Sequence, residues 1–472
     1  MAAILLLGLI IEALVYNNRV WTIPSLVLYA TVGVWYLGNM VQDGPENFVG
    51  RFGSGAATIA LLQVVLFLAA YRGLVYYLFR RVRDPQPRAS ALALIESTAT
   101  ERMLTLLLAV WAVLFVVGVA RAEGQVLAVL WPPSSPTKVS MFATNGVGAG
   151  IDFLVSAANY IYILVCALFG VFIVLARGWP RILALAFTLL TWPYFFFDRA
   201  RNIMLAVLLP GVFCYWVATR GRWWQKALVS LVLLVLLNVW FQQVVRYRGE
   251  GDYKMASMLD FSSNDQDEEE NGYIGIEMLS ELCWMDSLTD HGVYPVTWGL
   301  DYVAEFSQFV PRTLWPGKPM LGINYAVARG FGANNASQES LNAAGVAATI
   351  STGMIGQGVG NFGPFFGVLA AAGLMALWTK VLVHLWLRRG ELLRFLLFLV
   401  GCGLTFNLGR DITLLVLWPF IFGYLFVWLI ERCAPALTGT RRRTPARMSP
   451  APAAARLRPA GWKPVDAPPD FL

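Results

Sequence analysis

GAATIALLQVVLFLAAYRGLVYYLF at 55–79 runs directly into RRVRDPQPR at 80–88. A helix over the first stretch rises about 37 Å at 1.5 Å per residue, enough to cross a hydrocarbon layer of about 30 Å. Arg72 is its single charge. The basic run that follows marks the end held in the cytoplasm, because short loops rich in Lys and Arg are retained there. A membrane span with a stated direction is therefore readable from these residues.

Ten further stretches repeat the pattern, near 2–16, 21–40, 102–120, 152–176, 182–197, 202–219, 227–245, 361–383, 394–409 and 412–430, which makes about eleven spans in all. The composition agrees. Of 472 residues 57% are hydrophobic and 14% charged, well below the roughly one quarter charged in soluble domains. The sequence predicts an all-α polytopic membrane protein.

RGWPR at 177–181, RGRWWQK at 220–226 and RRGELLR at 388–394 fall on the same side as 80–88. Alternation then puts 41–54, 121–151, 198–201, 246–360, 409–411 and the N-terminus on the outer side. MAAILLLGLIIEALVY lacks a basic n-region and a small-residue cleavage motif, so it is expected to be a retained span and not a signal peptide. Four segments result: an N-terminal bundle over 1–245, a large outer loop over 246–360, C-terminal spans over 361–432, and a basic, disordered cytoplasmic tail over 433–472. RRRTPARMSPAPAAARLRPAGWKP in that tail supplies much of the net charge of +7 and suits anionic lipid. No nucleic-acid partner is implied.

Within the loop, SSNDQDEEENG at 262–272 reads as a mobile acidic strip. IGIEMLSELCWMDSL at 274–288 and DYVAEFSQFV at 301–310 show helical spacing, with Tyr302, Phe306, Phe309 and Val310 on one face. These helices are expected to form an amphipathic cap on the outer leaflet, with Trp284, Trp298 and Trp315 at headgroup level. The glycines of AAGVAATISTGMIGQGVGNFGPFFG at 343–367 permit tight turns and close approach of backbone to a ligand ahead of the ninth span.

Arginines gather where the chain leaves the membrane on the outer side: Arg199 and Arg201 in FFFDRARN, Arg246 and Arg248 in VVRYRG, Arg312 in VPRTLWPGKP, and Arg410 in NLGRD. Such a ring on an otherwise apolar protein suggests a site for a membrane-borne anion. Asp198 and Asp411 adjoin arginines and neutralise them locally. The five cysteines form no disulfide framework, and no zinc spacing, nucleotide loop or internal repeat occurs.

VPRTLWPGKP at 310–319, the small-residue run with STG at 351–353, and NFGPFFGVLAAAG at 361–373 resemble the bacterial oligosaccharide repeat-unit polymerases, the Wzy-type O-antigen and exopolysaccharide polymerases. The likeness covers about 200–430. One departure is Gln357, where related sequences often carry Glu.

The resemblance implies a GT-C-like membrane glycosyltransferase in the bacterial inner membrane, with the loop in the periplasm and the C-terminus in the cytoplasm. It would join undecaprenyl-pyrophosphate-linked donor and acceptor oligosaccharides without a cofactor or metal, alongside flippase and chain-length regulator proteins. Breaking a bond between an anomeric carbon and pyrophosphate calls for fixed cations, and the acceptor hydroxyl calls for a base. Arg199, Arg201, Arg246, Arg248 and Arg410 are expected to clamp the pyrophosphate, with Arg312 and Lys318 reaching it from the loop.

His291, the one imidazole outside, is the first candidate base. Glu281, Asp286, Asp290 and Glu305 compete with it, while His384 lies at an inner span end. An O-antigen ligase would use the same donor. A thiol transpeptidase built on Cys283 would need an electropositive setting, which Glu281 and Asp286 deny it. A transporter or flippase would bury charges at mid-membrane, where only Glu12 and Arg72 approach.

Overall fold

The structure, a computed structural model, describes residues 2–15, 19–82, 99–122, 124–126, 130, 149–197, 201–219, 222–246, 277–307, 310, 315, 323–330 and 350–433. Among these every regular element is helical. In chain order they are α1 (Ala2–Val15), α2 (Thr22–Val32, continued by a π-turn over Gly33–Leu37), α3 (Gly38–Asp43), α4 (Pro45–Phe52), α5 (Ser54–Phe79), α6 (Ala99–Arg121), α7 (Ala149–Leu175) and α8 (Trp179–Phe197). The rest are α9 (Arg201–Ala218), α10 (Trp223–Arg246), α11 (Met278–Asp290), α12 (Leu300–Phe306), α13 (Ile323–Ala328), α14 (Gly353–Leu387), α15 (Leu392–Leu408) and α16 (Leu414–Cys433).

Among the described residues, five helical stretches are long and apolar enough to cross a membrane: Ser54–Phe79, Thr100–Arg121, Ala157–Leu175, Gly353–Leu387 and Val416–Cys433. Ala2–Ala13, Ile203–Ala218, Trp224–Leu237 and Leu392–Leu408 are shorter apolar helices. The protein is an all-α, multi-pass membrane protein associated with the lipid bilayer. Each of the eleven apolar stretches read from the sequence falls on a helix.

Lipid tails are as apolar as leucine, so helices in a membrane associate through close packing and hydrogen bonds. Both are present. In the α7–α9 contact a Cβ added to Gly211 would lie 3.2 Å from the Gly170 carbonyl, and the Trp192 indole of α8 covers Gly170. α15 is buried along almost its whole length, between α9, α14, α16 and α2. Ser25, Tyr71 and Thr379 form a hydroxyl chain at 3.1 and 2.8 Å that ties α2 to α5 and α14. Trp378 donates to Thr405 Oγ1 at 2.8 Å, and Trp35 donates to the Phe406 carbonyl at 2.7 Å.

α14 departs from the expected span by starting at Gly353 and reversing at Gly363, where φ is 80° and ψ 174°. Pro364 follows and starts the second arm without an N–H to satisfy. The arms then close on each other: a Cβ on Gly358 would run into the Gly367 carbonyl, and one on Gly367 into that of Gly358. Gly358 and Gly367 serve helix-to-helix contact within the protein. The first arm, 353–361, is buried throughout.

α11 also differs from expectation. Eight of its residues, Met278 to Cys283 with Met285 and Asp286, are buried, and it packs against α5 and α14. It is an internal helix and not an amphipathic cap, because apolar residues occupy more than one face. On α12 Tyr302 is buried and Phe306 exposed; Phe309 lies outside the described residues. Trp298, 79% exposed and at φ 52°, heads α12.

Candidate active site beside the α15–α16 turn

The first arm of α14 is held at both ends by main-chain contacts that sequence distance hides. Met354 N–H donates to the Gly409 carbonyl at 3.2 Å, and Tyr36 Oη takes the Ile355 N–H at 2.9 Å. Gln357 clamps Ile412, its Oε1 accepting the Ile412 N–H at 3.0 Å and its Nε2 donating to the Ile412 carbonyl at 3.2 Å. A carboxylate at 357 could accept but not donate, so the amide at this position suits the clamp. At the other end Thr297 N–H donates to the Gly360 carbonyl at 3.0 Å, and Asn361 Nδ2 donates to the Gln357 carbonyl at 2.7 Å.

This scaffold brings Ser351, Arg410, Asp411, Thr413 and Glu305 together. Arg410 Nε donates to Ser351 Oγ at 2.7 Å. Asp411 accepts from the Ser351 hydroxyl and from the Thr352 N–H. Glu305 reaches across from α12 and accepts from the Thr413 hydroxyl, while its Oε2 is buried with no hydrogen-bond partner. Asp301, on the same helix, accepts from Tyr294 Oη at 2.8 Å and Thr297 Oγ1 at 3.0 Å.

Two carboxyls in this cluster hold their protons unusually well. Burial pushes Glu305 up to about 7, with the Thr413 bond opposing the rise and Asp411 and Asp301 adding to it. Burial likewise pushes Asp411 up to about 6, against the pull of Ser351, Arg410 and the Thr352 amide. With its proton affinity raised to about 7, Glu305 is partly ionised near neutral pH and is suited to accepting a proton from a substrate.

The remaining candidates lie apart from this cluster. Glu281 is fully buried; Tyr325 Oη donates to its Oε2, and Arg329 donates from Nη2 to Oε1 at 3.2 Å and from Nε to Oε2 at 3.3 Å. Arg329 lies over Trp284 at 4.2 Å. With both oxygens engaged, Glu281 is a structural ion pair. Asp286 accepts from Gln63 Nε2 at 2.9 Å, its Oδ2 is buried with no partner, and burial pushes it up to about 6. Burial and Asp286 push the Cys283 thiol up to about 12, which disfavours the thiolate that a nucleophile needs.

His291 is exposed at the end of α11, its Nδ1 2.7 Å from the Ser287 carbonyl. It stands about 15 Å along the helix from Glu281. Asp290 beside it is exposed. His384 is exposed on the second arm of α14. No family model, curated protein or solved structure matches the chain. What the site can do rests on its own groups.

Of the expected cation clamp, Arg410 belongs to the cluster. Arg201 is the first residue of α9 and Arg246 the last of α10. Arg199, Arg248, Arg312 and Lys318 lie outside the described residues, as do the acidic strip and the tail beyond Cys433. Among the described residues no group of three or more His, Cys, Asp or Glu side chains could hold a metal. Thr413, Gln63 and Arg329 carry no motif in the sequence, and Ser351 stands out there only within the STG run at 351–353. Gln63 left a signal, an amide in the middle of an apolar stretch.

Proposed function

We propose that the chain is a membrane glycosyltransferase that polymerises undecaprenyl-pyrophosphate-linked oligosaccharide repeat units. On this reading it has eleven spans and a GT-C-like arrangement in the bacterial inner membrane. The 246–360 loop faces the periplasm and the C-terminus the cytoplasm. The observation that carries it is the Glu305–Asp411 pair beside Arg410, at the end of a membrane helix bundle: a proton acceptor poised near neutrality next to a permanent cation.

The acceptor sugar hydroxyl attacks the anomeric carbon of the donor, and its proton passes to Glu305. The bond from that carbon to the pyrophosphate oxygen breaks, its electron pair leaving with the polyprenyl pyrophosphate. Arg410 offsets the charge that develops there, since guanidinium forks match phosphate oxygens and stay ionised at every relevant pH. Pairing of Glu12 with Arg72 and of Arg394 with Glu431 neutralises charges inside the bundle. That favours chemistry at one face over passage of an anion through it.

The test is incubation of purified protein with a synthetic lipid-pyrophosphate oligosaccharide, without added nucleotide or metal. Longer glycans and released carrier pyrophosphate are expected, and Arg410→Lys is expected to lower the yield sharply while keeping its level in the membrane. No elongation by folded protein would refute polymerisation. Transfer only when a lipid A core acceptor is supplied would reassign the chain as a ligase.

A further inference from the structure

Between α8, α9 and α10 lies a cavity of about 520 Å³ that the catalytic reading leaves unused. Its size falls within the roughly 300–1,000 Å³ of ligand sites. Leu208 closes the α9 side, Leu233 and Leu237 the α10 side, and Trp192, Phe196 and Trp240 present aromatic faces. It opens toward the bilayer along Leu189, Leu236 and Val239, which are 67%, 62% and 41% exposed.

The polar atoms on its wall are already satisfied. Trp192 Nε1 donates to the Cys166 carbonyl at 3.0 Å, Trp240 Nε1 to the Phe196 carbonyl at 3.1 Å, and Thr188 Oγ1 to the Ala184 carbonyl at 2.8 Å. An occupant finds no hydrogen-bonding group there and has to be hydrocarbon. The Trp240–Phe196 bond also places the last turns of α10, which run about 9 Å beyond Trp240, at the C-terminal end of α8. That is the end at which α9 begins with Arg201 and α10 finishes with Arg246. An apolar groove with cationic residues at one end matches an anionic amphiphile.

We infer that this groove holds the isoprenoid chain of a polyprenyl phosphate or pyrophosphate, with the anionic head at the Arg201 and Arg246 end. The choice of an isoprenoid over a phospholipid chain rests on the proposed polyprenyl-linked substrate.

The experiment uses the full-length protein in phosphatidylcholine nanodiscs and a polyprenyl phosphate carrying a benzophenone in its chain. Irradiation is expected to label peptides of α8–α10. Leu233→Trp, which fills the groove, should lower that labelling at least fivefold, whereas Leu231→Trp on the outward face (Leu231 is 58% exposed) should not. Val239→Trp at the open edge gives a second block that leaves the inner packing alone. Excess undecaprenyl phosphate should compete, and phosphatidylglycerol at equal concentration should not.

Equal competition by phosphatidylglycerol, or labelling unmoved by both blocking variants, overturns the inference. Groove labelling by protein that elongates no glycan upholds the groove and refutes only glycosyl transfer. Normal elongation with no groove labelling refutes only the groove.

Discussion

At the scale of single residues, the unpartnered Oε2 of Glu305 and its proton affinity decide what the cluster can do. Glu305→Gln is expected to lower turnover by roughly 10²–10⁴, the usual contribution of a positioned acid or base. Wild-type turnover should rise with pH through about 7 as the carboxyl ionises. A flat profile in steady-state assays would move the base to another group. Stability should move the other way. A carboxyl whose proton affinity is raised on folding stabilises the fold below its unfolded pKa and loses that contribution as pH climbs through the folded one. Glu305→Gln should therefore melt higher than wild type at pH 8, by roughly 1–3 kcal/mol, with the gain absent at pH 4.5. Thermal melts across that range check it. Glu305 and Arg410 were legible as candidates from their positions in the chain. Their neighbours were not, because Ser351 meets Arg410 across 59 residues and no local pattern announces such a meeting.

At the scale of elements, the folded-back α14 is the part that the sequence misled on. Its small-residue run lacks the bulky apolar side chains that mark a span, so 343–360 reads as loop. The first arm, poor in intrinsic helix preference, is supported by contact with its own second arm and with Tyr36, Met278 and Ile412. Long runs of large apolar residues were legible because their length alone forces the helix. α11 misled in the opposite sense: its helical spacing suggests a cap on the outer leaflet, yet its apolar residues take Glu281 and Asp286 inside with them. Gly367→Ala should lower stability by roughly 1–3 kcal/mol, as overpacking does, since the new methyl meets the Gly358 carbonyl. Gly373→Ala, with nothing near its Cβ, should be neutral or slightly stabilising. Equal melting temperatures for the two variants would mean that the arms are not in contact.

At the scale of the whole molecule, the proposed orientation can be read with single cysteines in a Cys433→Ser background. Val293→Cys, exposed after α11, should react with a membrane-impermeant thiol reagent in intact cells, and Gly390→Cys between α14 and α15 should not. The opposite labelling would invert the placement of the cluster. The pairing of Gln63 with Asp286 carries a consequence for how such a protein is made. The two lie 223 residues apart. At about 5–20 residues per second of synthesis, roughly 10–45 s separate their emergence from the ribosome. During that interval α5 waits in the translocon or in lipid with a bare amide in its middle. The nascent chain is then most open to capture by insertion chaperones or to quality-control proteolysis, until α11 arrives and closes the gap.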